Sequence, residues 1–335
     1  MNQLKIAIVG CGVMGVRHLQ ALKGFPFVSI PSICDIDERR AEQICTEYKI
    51  PKFYKDYDQM LSKEDLDAVI IATPDGLHKD PAIAAIKLNK SVLIEKPIAS
   101  NLEDANAIVK AAKEGKGAVL IGHILRFDYR YWGIKKMVSE GKIGNVVSVY
   151  SRRCNTLDQA ERLDRSTDVI MYLGIHEADL VPWIVGSPIS KVYAKASYLV
   201  RNKADPDFVK VLFEHVSGTI GVIELSWSYP SGEIAHQKSS LEVVGTTGVC
   251  TTSFPSTELV FYSNKQYSTI LPHVPSIYNK ITGSLANEEL HFINCVTGND
   301  KPVVALQDAY QALKVVLAVK NSIKEKKEIT VSTLQ

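Results

Sequence analysis

A chain of 335 residues exceeds what one hydrophobic core usually organises, so two domains are expected. Its 39 Lys and Arg against 37 Asp and Glu leave a formal charge of +2, and no basic run is interleaved with aromatics, which argues against nucleic acid as a partner. A membrane partner is not expected either, because no apolar stretch reaches the ~18 residues that a span requires.

The first third alternates short β-rich runs with longer helical patterns. The predicted strands are Lys5–Val9, Ser29–Cys34, Ala68–Ala72, Ser91–Ile94 and Ala118–Gly122. Helices are predicted near Gly15–Leu22, Glu38–Tyr48, Pro81–Leu88 and Leu102–Glu114, the last opened by Ser100 and Glu103 in a capping-box pattern. Nearly all-apolar strands separated by helices predict a parallel sheet covered on both faces. The first strand follows Met1-Asn2-Gln3 directly, which leaves no room for a signal peptide. The six cysteines (Cys11, Cys34, Cys45, Cys154, Cys250 and Cys295) never fall at C-x-x-C spacing and read as buried free thiols, so a cytoplasmic protein is expected.

Between the first strand and helix lies Gly10-Cys11-Gly12-Val13-Met14-Gly15, a complete G-x-G-x-x-G. Gly10 permits the tight turn, Gly12 lets the backbone approach a pyrophosphate, and Gly15 lets helix and strand pack closely. The helix N-terminus, from Val13 and Met14 onward, then offers N–H groups to phosphate. The second strand ends at Asp35, whose carboxylate can accept hydrogen bonds from an adenosine ribose, which favours NAD. Arg39 and Arg40 follow and could pair with a 2′-phosphate, so NADP stays open.

After about His123 the rhythm changes. A helix is predicted at Tyr129–Glu140, then strands at Val146–Arg152, Lys191–Val200, Phe208–His215, Thr219–Tyr229, Ser239–Val244 and Glu258–Tyr262, and helices again at Asn287–Val296 and Leu306–Lys324. Alternation through Val222–Ser228 marks a half-buried strand. The expected fold class is therefore α/β: an N-terminal Rossmann domain with a doubly wound parallel sheet (1–123), plus a C-terminal α+β domain with a large, mostly antiparallel open sheet (124–335). Within Asp168–Val185, Asp168, Tyr172, His176 and Asp179 fall within ~80° of one another at ~100° per residue. Their neighbours are apolar, so this narrow polar stripe must meet partners, water or a ligand, and Pro182 is expected to kink or end the helix.

Four further segments carry a family resemblance. Ile71-Ala72-Thr73-Pro74-Asp75-Gly76-Leu77-His78 is similar to the A-T-P/N-x-x-H stretch of Gfo/Idh/MocA oxidoreductases, and Glu95-Lys96-Pro97 resembles their E-K-P signature. Gly122–Phe127 is similar to their G-x-x-x-R-F, and Gly174–Asp179 to their G-x-H-x-x-D. The resemblance runs through the whole chain in order. It departs at Tyr172, where many members carry Asp four residues before the histidine.

The resemblance implies reversible, nicotinamide-dependent oxidation of a secondary hydroxyl on a sugar, nucleotide sugar or cyclic polyol. It places Thr73, Pro74, His78, Glu95 and Lys96 along the cofactor crevice. A free lysine with a pKa of ~10.4 is a poorer base near neutrality than a histidine at ~6.5. His176 is therefore the expected general base, Lys96 the cation on the substrate oxygen, Tyr172 a group for orientation or proton relay, and Asp179 the support of His176. This reading requires Lys96 and His176 to converge on one nicotinamide ring. No metal is expected, since the eight histidines show no H-x-x-x-H spacing. Relatives also imply a homodimer or homotetramer paired through the C-terminal sheet. Two other readings are a redox-assisted glycosidase that retains NAD, and a sugar-sensing regulator without turnover. Arg152, Arg153 and Arg165 could grip a charged substrate group or form ordinary ion pairs.

Overall fold

The computed structural model describes residues 3–163, 166–230, 237–255, 260–262, 267–269, 275–277 and 280–334. The chain divides into two compact units, one formed by 1–127 with 272–310 and the other by 128–271 with 311–335.

The first unit opens with β1 (Leu4–Val9), α1 (Val13–Leu22), β2 (Val28–Ser29), β3 (Ser32–Cys34), α2 (Glu38–Tyr48), β4 (Lys52–Tyr54) and α3 (Tyr57–Lys63). It continues with β5 (Ala68–Ile71), α4 (Lys79–Lys87), β6 (Ser91–Glu95), α5 (Leu102–Glu114) and β7 (Val119–Gly122). The strands form one parallel sheet in the order β4-β3-β1-β5-β6-β7, with β2 also beside β1. Central strands of such a sheet are covered on both faces, and Ile6–Val9, Ala68–Ile71 and Val92–Ile94 are accordingly buried throughout. Strand order reverses between β1 and β5, the switch point at which open α/β sheets bind ligands beyond their carboxyl ends.

The second unit contains α6 (Tyr129–Ser139), β8 (Val146–Thr156), α7 (Leu157–Leu163) and a π-helical turn Ile170–Gly174 that runs into α8 (Ile175–Val185). There follow β9 (Ile189–Ser197), β10 (Phe208–His215), β11 (Ile220–Tyr229), β12 (Gln237–Gly245) and β13 (Val249–Phe254). The sheet order is β13-β12-β8-β11-β10-β9, with Ile329–Thr330 added beside β9; β8 and β11 pair in parallel and the other neighbours antiparallel. Side chains alternate: Val149, Val211, Ile223, Trp227, Leu241 and Val243 point into the core, whereas Tyr150, Leu212 and Ile220 stay exposed on the other face.

Residues 272–310 belong to the first unit through α9 (Ser284–Val296), which packs on α1 and on the 3-10 turn Ile124–Phe127. Buried Arg126 of that turn donates through Nη1 to the Val303 carbonyl at 3.2 Å and to Asp308 at 3.0 Å. The division then falls inside α10 (Leu306–Glu325).

Several local expectations need correction. The cap of α5 is Asn101, whose side chain accepts from the Asp104 N–H, rather than Ser100 with Glu103. The predicted strand Ser29–Cys34 is two strands, because Pro31 between them supplies no N–H to a ladder. Pro182 does not end its helix: α8 continues to Val185 and closes on Gly186 at φ 77°. Proline forfeits its own backbone donor there and its ring crowds the carbonyl one turn back, a cost offset by burial of Leu180, Val181 and Ile184 around it. Of the predicted strand Glu258–Tyr262, Val260–Tyr262 is observed and the remainder lies outside the described residues. Among the described residues, no helix is long and apolar enough to cross a membrane.

Candidate functional site

The glycine loop leaves β1 at the switch point and enters α1. Gly10 has φ +94°, and a Cβ there would lie 2.5 Å from the Ala72 carbonyl at the end of β5. A Cβ on Gly15 would lie 1.9 Å from the Gly10 carbonyl, so helix and loop close on each other only without side chains. Gly12 differs: it precedes α1 in extended conformation without a side-chain cap, and a Cβ there would meet nothing within 4 Å. That open cradle faces the start of α1, where Val13 is exposed and Met14 half-buried. Helix geometry leaves the first N–H groups without intrahelical acceptors, so the cradle fits an anionic pyrophosphate.

Asp35, just past β3, is buried beside this loop. Its Oδ2 accepts from the Cys11 N–H at 2.7 Å and its Oδ1 from the Asp37 N–H at 2.9 Å. Each carboxylate oxygen retains acceptor capacity, which suits a ribose diol. Arg40 Nη1 lies 3.8 Å from Asp35 and its Nη2 3.3 Å from Asp37, whereas Arg39 is exposed on α2. Burial, with the Asp35 charge adding to it, pushes the Cys11 thiol up to about 12 and keeps it protonated.

Across the switch point, Thr73 and Pro74 follow β5, and Glu95 and Lys96 close β6. Thr73 Oγ1 is buried without a hydrogen-bond partner among the described residues, a second feature suited to a bound cofactor. His78 is buried and joins the two loops: Nδ1 lies 2.8 Å from the Pro97 carbonyl and Nε2 2.9 Å from the Thr73 carbonyl. Glu95 also points inward. Its Oε1 lies 2.9 Å from His18 Nε2, and its Oε2 accepts from the Lys96 N–H at 3.1 Å. Lys96 itself is half-buried at the strand end.

In the second unit, Asp168 is a structural cap. Its Oδ1 accepts from the Ile170 and Met171 N–H groups at 2.9 Å, and its carboxylate pairs with Lys320 at 2.5 Å. The π-helical turn is wider than an α-turn, so an angular stripe read at ~100° per residue does not carry from Asp168 through Gly174 to His176. Tyr172 is half-buried with its ring centroid 6.1 Å from that of Trp227. His176 is half-buried on α8, and Asp179, three residues on, is buried.

The adjacent Glu177 carries a buried cluster absent from the sequence reading. It accepts from Arg153 Nε and from Ser151 Oγ, and Arg153 Nη2 donates to the Tyr131 hydroxyl at 3.2 Å. Burial would lower Arg153, but the Glu177 carboxylate and Tyr131 raise it. Arg153 is thus a core ion-pair residue, Arg152 pairs with Glu224 at 3.1 Å, and Arg165 lies outside the described residues. A second unread cluster joins His18 to Glu95 and Glu289. Its signal in sequence is ionisable residues, His18 and Glu289 on helix faces and Glu95 at a strand end, set among apolar ones.

Residues 4–123 match the family model described as an oxidoreductase family with NAD-binding Rossmann fold, and residues 131–251 match that of the GFO/IDH/MocA C-terminal domain. The chain is 28% identical over 330 residues to scyllo-inositol 2-dehydrogenase (NAD(+)) of Bacillus subtilis (strain 168), covering 96% of this chain and 95% of that one. It is 33% identical over 228 residues to inositol 2-dehydrogenase of Salmonella paratyphi B, covering 66% of this chain and 67% of that one. A crystal structure of scyllo-inositol dehydrogenase from Lactobacillus casei with bound NAD(H) and scyllo-inositol shares the fold, with a TM-score of 0.85 at 21% identity over 99% of this chain and 100% of that chain.

Proposed function

This chain belongs to the Gfo/Idh/MocA oxidoreductase family, with an NAD-binding Rossmann domain, and from that footing we propose that it oxidises a secondary hydroxyl of a cyclic polyol or sugar. The observation that carries the reading is local to the first unit. An open glycine cradle and a pre-oriented Asp35 stand at the switch point where Lys96 closes a neighbouring strand. NAD, when bound, supplies the hydride acceptor. Gly10, Gly12 and Gly15 with the start of α1 hold the pyrophosphate, Asp35 takes the ribose hydroxyls, and Thr73 Oγ1 supplies a polar contact in the crevice.

Lys96 holds the substrate oxygen and stabilises negative charge that develops on it. His176 removes the hydroxyl proton as general base, a task imidazole performs near neutral pH without a large shift. Asp179 supports His176 from the next turn of α8, and Tyr172 orients substrate or relays the proton. The relatives' names support an inositol-like substrate. Tyr172, at a position where the family commonly has Asp, favours a polyol whose orientation differs from theirs.

Pairing of two copies through the open sheet face is part of the same reading. Tyr150, Val222, Leu212 and Tyr193 lie side by side across β8, β11, β10 and β9, and Tyr150 and Leu212 are exposed. Light scattering should give a dimer or tetramer, and Leu212→Lys should shift it toward monomer. A cytoplasmic location is supported by six cysteines that are all unpaired.

The deciding assay is appearance of reduced nicotinamide when purified protein is given NAD and a panel of inositols, aldoses and nucleotide sugars. Turnover that depends on added NAD supports this reading; sugar release without net NAD reduction, or binding without turnover, contradicts it.

A further inference from the structure

A histidine and three glutamates are buried together beneath the Lys96 loop, and the roles above do not use them. His18, one turn beyond Gly15 on α1, is 0% exposed. Its Nε2 lies 2.9 Å from Glu95 Oε1, and its Nδ1 meets Glu289 Oε1 of α9. Glu288 and Glu289 are each 0% exposed, and neither oxygen of Glu288 has a hydrogen-bond partner among the described residues.

The charges sort by environment. Burial alone would lower His18, but the Glu289 charge and hydrogen bonds to both carboxylates raise it well above its ordinary value. Burial would raise Glu95, yet the hydrogen bond and charge of His18 bring it below the ordinary range. Glu288 is pushed well up by burial, with the Glu95 charge adding, which favours its neutral form. Glu289 is raised by burial against the opposing pull of His18, which it meets at Nδ1. The Glu95 carboxylate therefore faces a cation it cannot leave without stranding charge in the interior.

That fixed carboxylate grips the backbone of the next residue, accepting from the Lys96 N–H at 3.1 Å. Its other oxygen is held by His18 at 2.9 Å, so both ends of the carboxylate are engaged. We propose that His18, clamped between Glu289 and Glu95, is a positioning residue that fixes the Lys96 backbone at the carboxyl end of β6 and so aims the lysine side chain. The importance of that aim rests on the lysine role proposed above.

The test uses the full-length protein with His18→Gln and the isosteric Glu289→Gln, which keeps the shape of the cluster. Hydrogen exchange of the Lys96 amide is followed by mass spectrometry on peptides covering β6, beside kcat, KM and the Kd for NAD. The clamp predicts faster Lys96 amide exchange in both variants, kcat lowered by ~10–100-fold in His18→Gln, and a nearly unchanged Kd for NAD. It also predicts that the double variant is no worse than His18→Gln alone, because the two residues act as one unit. Unchanged amide exchange in the folded variants, or loss of NAD affinity in step with kcat, would overturn the proposal. Lys96→Ala with full turnover would end the lysine role instead, while the exchange data would still report on the clamp.

Discussion

The backbone N–H of Cys11 donates to Oδ2 of Asp35 at 2.7 Å, so the middle of the glycine loop and the carboxylate just past β3 are one hydrogen-bonded assembly. Loop and carboxylate come from the ends of β1 and β3, which are adjacent in the sheet. Asp35→Ala removes the proposed ribose acceptor, a charged hydrogen-bond partner worth about 1–3 kcal/mol, and also leaves the Cys11 N–H without its acceptor. Calorimetry should show weaker NAD binding by ~5–150-fold. With the charge opposite Arg40 gone, the ratio of kcat/KM for NADP over NAD should rise.

Two loop glycines should separate folding from binding. A Cβ on Gly15 would collide with the Gly10 carbonyl at 1.9 Å, so Gly15→Ala should lower Tm and NAD affinity together. A Cβ on Gly12 meets open space, so Gly12→Ala should keep the wild-type Tm and lose NAD affinity alone. Equal Tm losses in the two variants would contradict the cradle.

His176→Ala should lower kcat by ~10²–10⁴-fold, the usual contribution of a general base, with the Kd for NAD nearly unchanged. Steady-state kinetics with fluorescence titration of NAD separates the two quantities. A proportional loss of both would make His176 structural.

Arg153 and Glu177 are both fully buried, and each is the other's charge partner. Glu177→Gln should destabilise the second unit by ~3–5 kcal/mol, because a buried guanidinium is left uncompensated. Arg153→Met combined with Glu177→Leu should cost less than the single change, as read by denaturant unfolding.

The His18 cluster gives stability a pH dependence of defined sign. A histidine raised in the folded state contributes stability that is fully present below its unfolded value of 6.5 and is lost as pH rises through the higher folded value. Glu288 and Glu289, raised by burial, act in the same direction above 4.5. The Tm advantage of wild type over His18→Gln should thus be largest near pH 6 and shrink in alkaline buffer. A gap that widens with pH would contradict the charged form of His18.

The parallel sheet and the glycine loop were legible because their signals are local: short apolar runs, a fixed glycine spacing and an acid at the next strand end. Unread elements such as β4, α3, α7, β13 and the strand Ile329–Thr330 are short, and β4 is mostly exposed, so periodicity had little to act on. The polar stripe was misjudged from Asp168 onward because a π-turn cannot be read from a 3.6-residue period. Glu95 was read as facing the cofactor, yet it turns inward to His18, a partner 77 residues away in sequence. The return of 272–310 to the first unit comes through α9 packing on α1 and on the Ile124–Phe127 turn, contacts no local pattern announces.

Hydride transfer to NAD is tested most directly with a polyol substrate deuterated at its carbinol carbon. The account predicts one deuterium per turnover in the reduced nicotinamide recovered from the reaction and none released to water. Oxidised product with unlabelled cofactor, or label washed into solvent, would contradict it.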